Sequence, residues 1–213
     1  GVRITFGLLT TITEIVPPGR VHAIEVSQSI MWRPAGWWTV RINRLSGKSM
    51  SDASADQFST VLPVGTIADV QRVLALLQPD VAGQEWPVIV QEGMLGKGHN
   101  DTFTNSPRRA WILRPFSWRR NGFRLTDALI LLRHGWAWRK LALLPLSRLQ
   151  SIALHQGPLE RALRVASARG HAVAGPVGTG LSAIDRDAAR GLFAGVRAGA
   201  VAAASSDRSH RWA

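Results

Sequence analysis

Six histidines, at positions 22, 99, 134, 155, 171 and 210, are the first residues in which chemistry could reside. A zinc hydrolase needs two of them one helical turn apart, and neither H-E-x-x-H nor any i, i+4 pair occurs. His155 and His171 fall on neighbouring expected strands and could meet, but no carboxylate stands near to orient them. Ser147 and Ser151 lack the G-x-S-x-G context of a nucleophile elbow. Cysteine is absent, so disulfides, thiolate chemistry and zinc–thiolate sites are excluded. Two glycine-rich runs look briefly like phosphate loops. Gly93–Gly98 has Gln91 where a P-loop needs glycine and Gly98 where it needs Ser or Thr, so it reads as a flexible loop. Gly175–Gly180 has the wrong spacing and precedes a strand where a nucleotide site needs a helix. No nucleophile–base–orienter set exists, and the expectation is a chain that is not an enzyme, with no cofactor and no metal.

Binding chemistry is better represented. Between Arg108 and Arg120, five arginines (Arg108, Arg109, Arg114, Arg119, Arg120) interleave with Trp111, Phe116 and Trp118. Tryptophan favours the membrane interface, and arginine can reach lipid phosphates while its stem stays in apolar surroundings. The same mixture stacks bases and holds a nucleic-acid backbone. It could equally pack between two domains. Formal net charge is +12, and it is uneven: residues 121–213 hold thirteen Lys/Arg against five Asp/Glu, whereas residues 1–80 are about neutral. Such asymmetry points to an acidic partner, either anionic lipid or nucleic acid.

The elements that must position these residues are short. Val2–Phe6 alternates as a half-buried strand, and Pro17-Pro18-Gly19 makes a turn before Val21–Ser27 alternates again. In WWTVRIN, Trp38, Val40 and Ile42 share one face. A polar loop spans Gly47–Phe58, and a short strand ends at Leu62–Pro63. Thr66 and Asp69 then read as a capping box, with Ile67, Val70, Leu74 and Leu77 on one helical face. Strands follow at Phe123–Thr126, Ala128–Arg133 and Trp136–Leu144. Asp185 can cap a last helix with Ala189, Leu192, Phe193 and Val196 inward.

One stretch was used twice. Advancing the numbering by 128 sets VPPGRVHAIEVSQSIMWR (16–33) on LPLSRLQSIALHQGPLER (144–161), with Pro17 on Pro145, Arg20 on Arg148, Ile24 on Ile152, Gln28 on Gln156 and Arg33 on Arg161. The repeat implies two copies of one unit. Arg20 and Arg148 could contact anions, but a position kept in two diverged copies reads rather as structural, bonding carbonyls at the turn.

A strand ending in Gly, then P-x-x-R-[VL]-x-x-[IV] leading to a Gln, a bend, a β-rich run and a closing helix resemble the bacterial pleckstrin-homology-like family, in its YdbS/YdbT-like branch of membrane proteins. The resemblance covers residues 1–78 and 121–200. VPPGRV followed by WWTVR, and SPRRAW followed by SWRRNGF, are similar to the last portion of actinobacterial members. It implies a mainly β fold: two tandem PH-like bent antiparallel barrels, each closed by one amphipathic helix. The expected division is a first PH-like domain at 1–79 lacking its opening strand, an Arg/Trp-ended linker at 80–120, a second domain at 121–203 and a disordered tail at 204–213. The two barrels are expected to stay separate, not merged in one sheet. The first domain's open edge should be covered by the linker, the other copy or a second chain, giving a homodimer. The resemblance implies a soluble portion of a longer membrane protein at the cytoplasmic face of the cell membrane, acting as a non-catalytic binding or scaffolding module. Its partner would be an anionic membrane surface or a protein, met through Arg108, Arg109, Trp111, Arg114, Trp118, Arg119 and Arg120; nucleic acid is the alternative.

Overall fold

The computed structural model describes residues 2–6, 12–16, 21–44, 59–79, 81, 83, 85–98, 100–171 and 175–206. In chain order, β1 (Val2–Phe6) and β2 (Ile12–Val16) form a hairpin. β3 (Val21–Ser29), β4 (Trp38–Arg44) and β5 (Thr60–Gly65) then form an antiparallel set closed by α1 (Ile67–Leu77). A helical turn, α2 (Glu85–Val88), runs into a π-helical segment, Ile89–Met94. β6 (Thr104–Asn105), β7 (Gly122–Leu125), β8 (Leu129–His134) and β9 (Trp138–Pro145) lead to a second antiparallel set: β10 (Ser151–His155), β11 (Val165–His171) and β12 (Gly180–Asp185). The short α3 (Pro158–Ala162) bridges β10 and β11, and α4 (Arg186–Ser206) ends the described chain.

Seven strands from both halves make one antiparallel sheet, in the order β5-β4-β3-β9-β8-β7-β6. The expectation of two separate barrels is thereby corrected. No barrel closes among the described residues, because the outer edge of β3 pairs with β9 from Ile24↔Leu143 to Ser29↔Trp138. An edge strand carries unpaired N–H and C=O groups, and here the second half of the chain satisfies them. The edge expected to need cover, that of β1, has no strand partner among the described residues.

Both faces of the long sheet are buried along β8 and the second half of β9, which explains why LILL and LALLP are apolar runs and not alternating ones. Leu129, Leu131, Leu141 and Leu143 face a core completed by Ile24, Val26, Val40, Ile42, α1 and the segment Ile89, Val90, Met94 and Phe103. The stretch expected as a linker therefore supplies core. Ile130, Leu132, Ala142 and Leu144 point the other way, into a core closed by β11, β12 and α4.

Local signals fall where the sequence places them. Thr66 and Asp69 form the reciprocal capping box, and Val70, Leu74 and Leu77 are the buried stripe of α1. Asp185 Oδ1 accepts from the amides of Asp187 (3.0 Å) and Ala188 (3.2 Å), capping α4. Ala189, Leu192 and Val196 are buried on α4, but Phe193 is exposed, a correction to its expected inward position. Residues 204–206 continue α4; the rest of the expected tail, the Gly47–Phe58 loop and Arg20 lie outside the described residues. A polar clasp joins the halves: Asn43, fully buried, donates to Val177 O (3.2 Å) and accepts from Val177 N (2.8 Å).

Candidate functional site: an aromatic, arginine-rimmed end of the long sheet

Three segments converge at one end of the long sheet. β3 ends at Ser29, whose hydroxyl accepts from Met31 N, and the chain makes a 3-10 turn over Ile30–Trp32. β9 begins beside it, because Ser29 pairs with Trp138. The β8–β9 turn is tight: Gly135 has φ +87°, and a Cβ there would lie 1.8 Å from Trp138 O, so only glycine fits. That turn pushes Trp136 outward. Arg33 Nη2 donates to Trp136 O and, at 3.4 Å, to Ala137 O, tying the two turns together. The third segment arrives through Phe116, whose ring lies 6.0 Å from that of Trp136.

Large apolar side chains lie open here. Met31 is 84% exposed, Phe116 78% and Trp136 55%, and Trp138 and Trp37 are also exposed. Monomeric soluble proteins rarely leave such a cluster uncovered unless it meets a partner. Cations rim it. Arg119 lies over the Trp118 ring at 5.4 Å, and Arg33, Arg139 and Lys140 stand on the adjoining strands and turn. His134 adds no charge at neutral pH: burial, then the nearby Lys140, Arg114 and Arg120 cations, push its pKa down to about 4. The patch charge thus comes from guanidinium and ammonium groups.

The seven residues expected to form an anionic-surface contact separate into two groups. Arg108, Trp111 and Arg119 are exposed, and Trp118 is half-buried beneath Arg119. Arg109 is engaged internally, donating to Leu163 O (2.7 Å), Arg164 O (3.1 Å) and Asp185. Arg114 is half-buried, its pKa lowered by burial, and lines a different groove with His155, Arg169 and His171. Arg120 corrects the expectation outright. It is buried and donates to Gly93 O (3.1 Å), Met94 O (2.9 Å) and Gly96 O, so it cannot reach a surface partner. Burial pushes its pKa down to about 9, which still leaves it charged at pH 7. The packing reading of this segment is also realised in part: Ala110 and Leu113 pack on Val165, Ala183 and Leu163, while Trp111 and Ile112 face outward.

Arg133, which no sequence pattern singled out, lies beneath the site and is fully buried. It pairs with Asp101 at 2.7 Å and stacks over Phe103 at 4.2 Å. The Gly93–Gly98 run, read as a flexible loop, instead packs on Leu141, Arg133 and the backbone of Arg119. Gly96 admits Arg133, since a Cβ there would lie 2.7 Å from its Nη1, and Gly98 takes φ +86° against Arg119 O.

Arg148 sits half-buried on the 3-10 turn Leu146–Arg148, beside His22. His155 and His171 share a sheet face but do not meet, because His155 pairs with Ser167 and His171 with Ser151 at the opposite end of the strands. The expectation that no carboxylate stands near them is corrected for His155, whose Nδ1 lies 3.7 Å from Glu160 Oε2 because α3 turns Glu160 back over the end of β10. Among the described residues no group of three His, Asp or Glu side chains gathers as a metal site. No helix among them is long and apolar enough to cross a membrane.

A mainly β chain with antiparallel sheets and a terminal helix against the second sheet is what the sequence resemblance led us to expect, and comparison with known families agrees. The family described as Bacterial PH domain matches residues 88–199. Neither a curated protein nor a solved structure matches the chain. The match spans more than half of the chain, through the π-helical segment, the long-sheet strands β6–β9, the second sheet and α4, and the chain therefore belongs to the bacterial PH domain family.

Proposed function

We propose that this chain is a non-catalytic binding module built of two PH-like units, and that it works at an anionic membrane surface, on the cytoplasmic face of the cell membrane. The observation that carries the reading is the exposed cluster of Met31, Phe116, Trp136 and Trp138 with arginines at its rim. Aromatic rings insert at the headgroup level, and basic side chains near an anionic leaflet contribute about 1 kcal/mol each. Fully burying a Phe or Met side chain contributes a further ~1.5–3 kcal/mol. Insertion and charge therefore add at one end of the sheet. The two-unit reading is supported by strand registers that coincide when the numbering is advanced by 128, as in Val2↔Val16 and Ile130↔Leu144.

Co-sedimentation with vesicles of phosphatidylglycerol and phosphatidylcholine, against phosphatidylcholine alone, tests the membrane reading. Binding to the acidic vesicles should weaken with salt. It should drop for Arg119→Ser and for the pair Phe116→Ser with Trp136→Ser, all exposed positions. Arg109→Ser should change it little, since Arg109 is already paired with Asp185. Absence of acidic-vesicle binding overturns the proposal. So does salt-sensitive binding to RNA or duplex DNA in its place.

A further inference from the structure

Advancing the numbering by 128 aligns the hydrogen bonding of the two halves as well as their letters. Ile24 faces Ile42 across β3 and β4, and Ile152 faces Gly170 across β10 and β11, each residue 128 positions on. Gln28 Nε2 donates to Trp37 O (3.2 Å), and Gln156 Nε2 donates to Val165 O (2.8 Å), the same bond at equivalent positions. β1 and β2 correspond in this way to β8 and β9, and β3 and β4 to β10 and β11.

One strand pair lacks a counterpart. β3 carries β9 on its outer edge. β10, its equivalent, ends its sheet, with no strand on that edge among the described residues, and Ser151, Ala153, Leu154 and His155 are exposed. The equivalent of β9 is β2, which among the described residues stands at the edge of a two-stranded sheet. We propose that β10 takes β2 of a second copy of this chain, in the register that β3 and β9 use within one chain. That register sets Ile152 opposite Ile15, Ala153 opposite Glu14, Leu154 opposite Thr13 and His155 opposite Ile12. The inference rests on the two-unit reading above and not on the membrane reading.

The grooves over the two sheets support this choice of occupant. A cavity of about 390 Å³ lies over Glu25, Ser27, Thr39 and Arg41, and β9 walls it with Trp138 and Lys140. Lys140 Nζ sits 3.2 Å from Glu25 Oε1. The equivalent cavity, about 600 Å³, lies over Ala153, His155, Ser167 and Arg169, with no fourth strand beside β10. β2 of a second copy supplies that wall. In that register position 14 falls opposite Ala153, which pairs with Arg169 on its other side. Main-chain bonds along the edge give affinity, and the register kept from β3 and β9 selects the occupant.

A chain without cysteine allows a clean register test. Thr13→Cys and Leu154→Cys are made as two separate variants, mixed and oxidised. Facing residues on adjacent antiparallel strands have Cα atoms about 4.5–5.5 Å apart, within disulfide reach. We expect a covalent dimer from this mixture and several-fold less from Thr13→Cys mixed with Ser151→Cys, which sits about 10 Å off register. The unaltered chain should sediment faster as its concentration rises. Equal cross-linking of both mixtures, or none with a monomer at all concentrations, overturns the proposal. Dimers of Leu154→Cys alone also overturn it, because β10 would then pair with itself. A Ser27→Cys, Lys140→Cys chain should close internally, since these residues face each other on β3 and β9. Failure there would count against the arrangement of the two units, separately from the contact between chains.

Discussion

Replacing Arg133 by methionine should cost the fold about 3–5 kcal/mol, the cost of breaking a buried ion pair by removing one partner. Arg133 is fully buried and Asp101 nearly so, with side chains 0% and 5% exposed. The guanidinium donates from Nε to Arg120 O (3.2 Å), from Nη1 to Glu92 O and to Asp101 Oδ2 (2.7 Å), and from Nη2 to Asn105 Oδ1 (2.7 Å). Methionine fills the volume but leaves the Asp101 carboxylate buried beside Asn105 and Phe103 N with no paired cation. Against a total stability of about 5–15 kcal/mol, that loss is large. Removing both charges should recover part of it: Arg133→Met with Asp101→Leu abolishes the stranded carboxylate, leaving only neutral acceptors at roughly 1 kcal/mol or more each. Urea titration followed by tryptophan fluorescence, as a double-mutant cycle, measures the coupling, expected at about 0.5–3 kcal/mol. A single variant within about 1 kcal/mol of the parent, or a double variant equal to the sum of the singles, would refute the reasoning. The pair also sets a pH dependence. Burial pushes the Asp101 carboxyl up, but hydrogen bonds from Arg133 and Asn105, the Arg133 charge and Phe103 N outweigh it, so its pKa lies below the ordinary value. A depressed folded-state pKa means the unfolded chain binds the proton more readily. The stability Asp101 contributes is therefore present above its unfolded pKa of about 3.9 and lost as pH falls through the folded value. Asp101→Asn should flatten the stability profile in that acid window.

Three further outcomes follow from particular geometry. Gly98→Ala must hold φ +86° with its Cβ 1.6 Å from Arg119 O, and should cost well over 1 kcal/mol in the same titration. Thr66→Ala removes the hydroxyl that accepts from Asp69 N and should cost about 1 kcal/mol, with the thermal midpoint falling by a few degrees. Asn43→Ala strands Val177 N and O across the junction of the halves; about 1–3 kcal/mol is expected, with faster amide exchange at Val177 as the local readout.

Much of this protein is legible in its letters. Capping chemistry is local, so Thr66, Asp69 and Asp185 mark their helix starts from sequence spacing alone. The 128-residue offset, visible as Pro17/Pro145 and Gln28/Gln156, sets which strands correspond, because identical turn and pairing residues impose identical registers. The Trp and Arg content of residues 108–120 marks a segment with binding chemistry. Three things waited for the tertiary structure. Whether β3 keeps an open edge or pairs with β9 is a contact between residues more than a hundred positions apart, and no local pattern encodes it. The fates of Arg109, Arg119 and Arg120, one paired, one open and one buried, depend on carbonyls and a carboxylate brought from Asp185, Leu163 and the Gly93–Gly96 turn. Trp136 and Met31 joined the site because strand pairing carries two distant turns to one end of a sheet. Composition determines what a side chain can bind. Long-range pairing decides which side chains remain available to bind it.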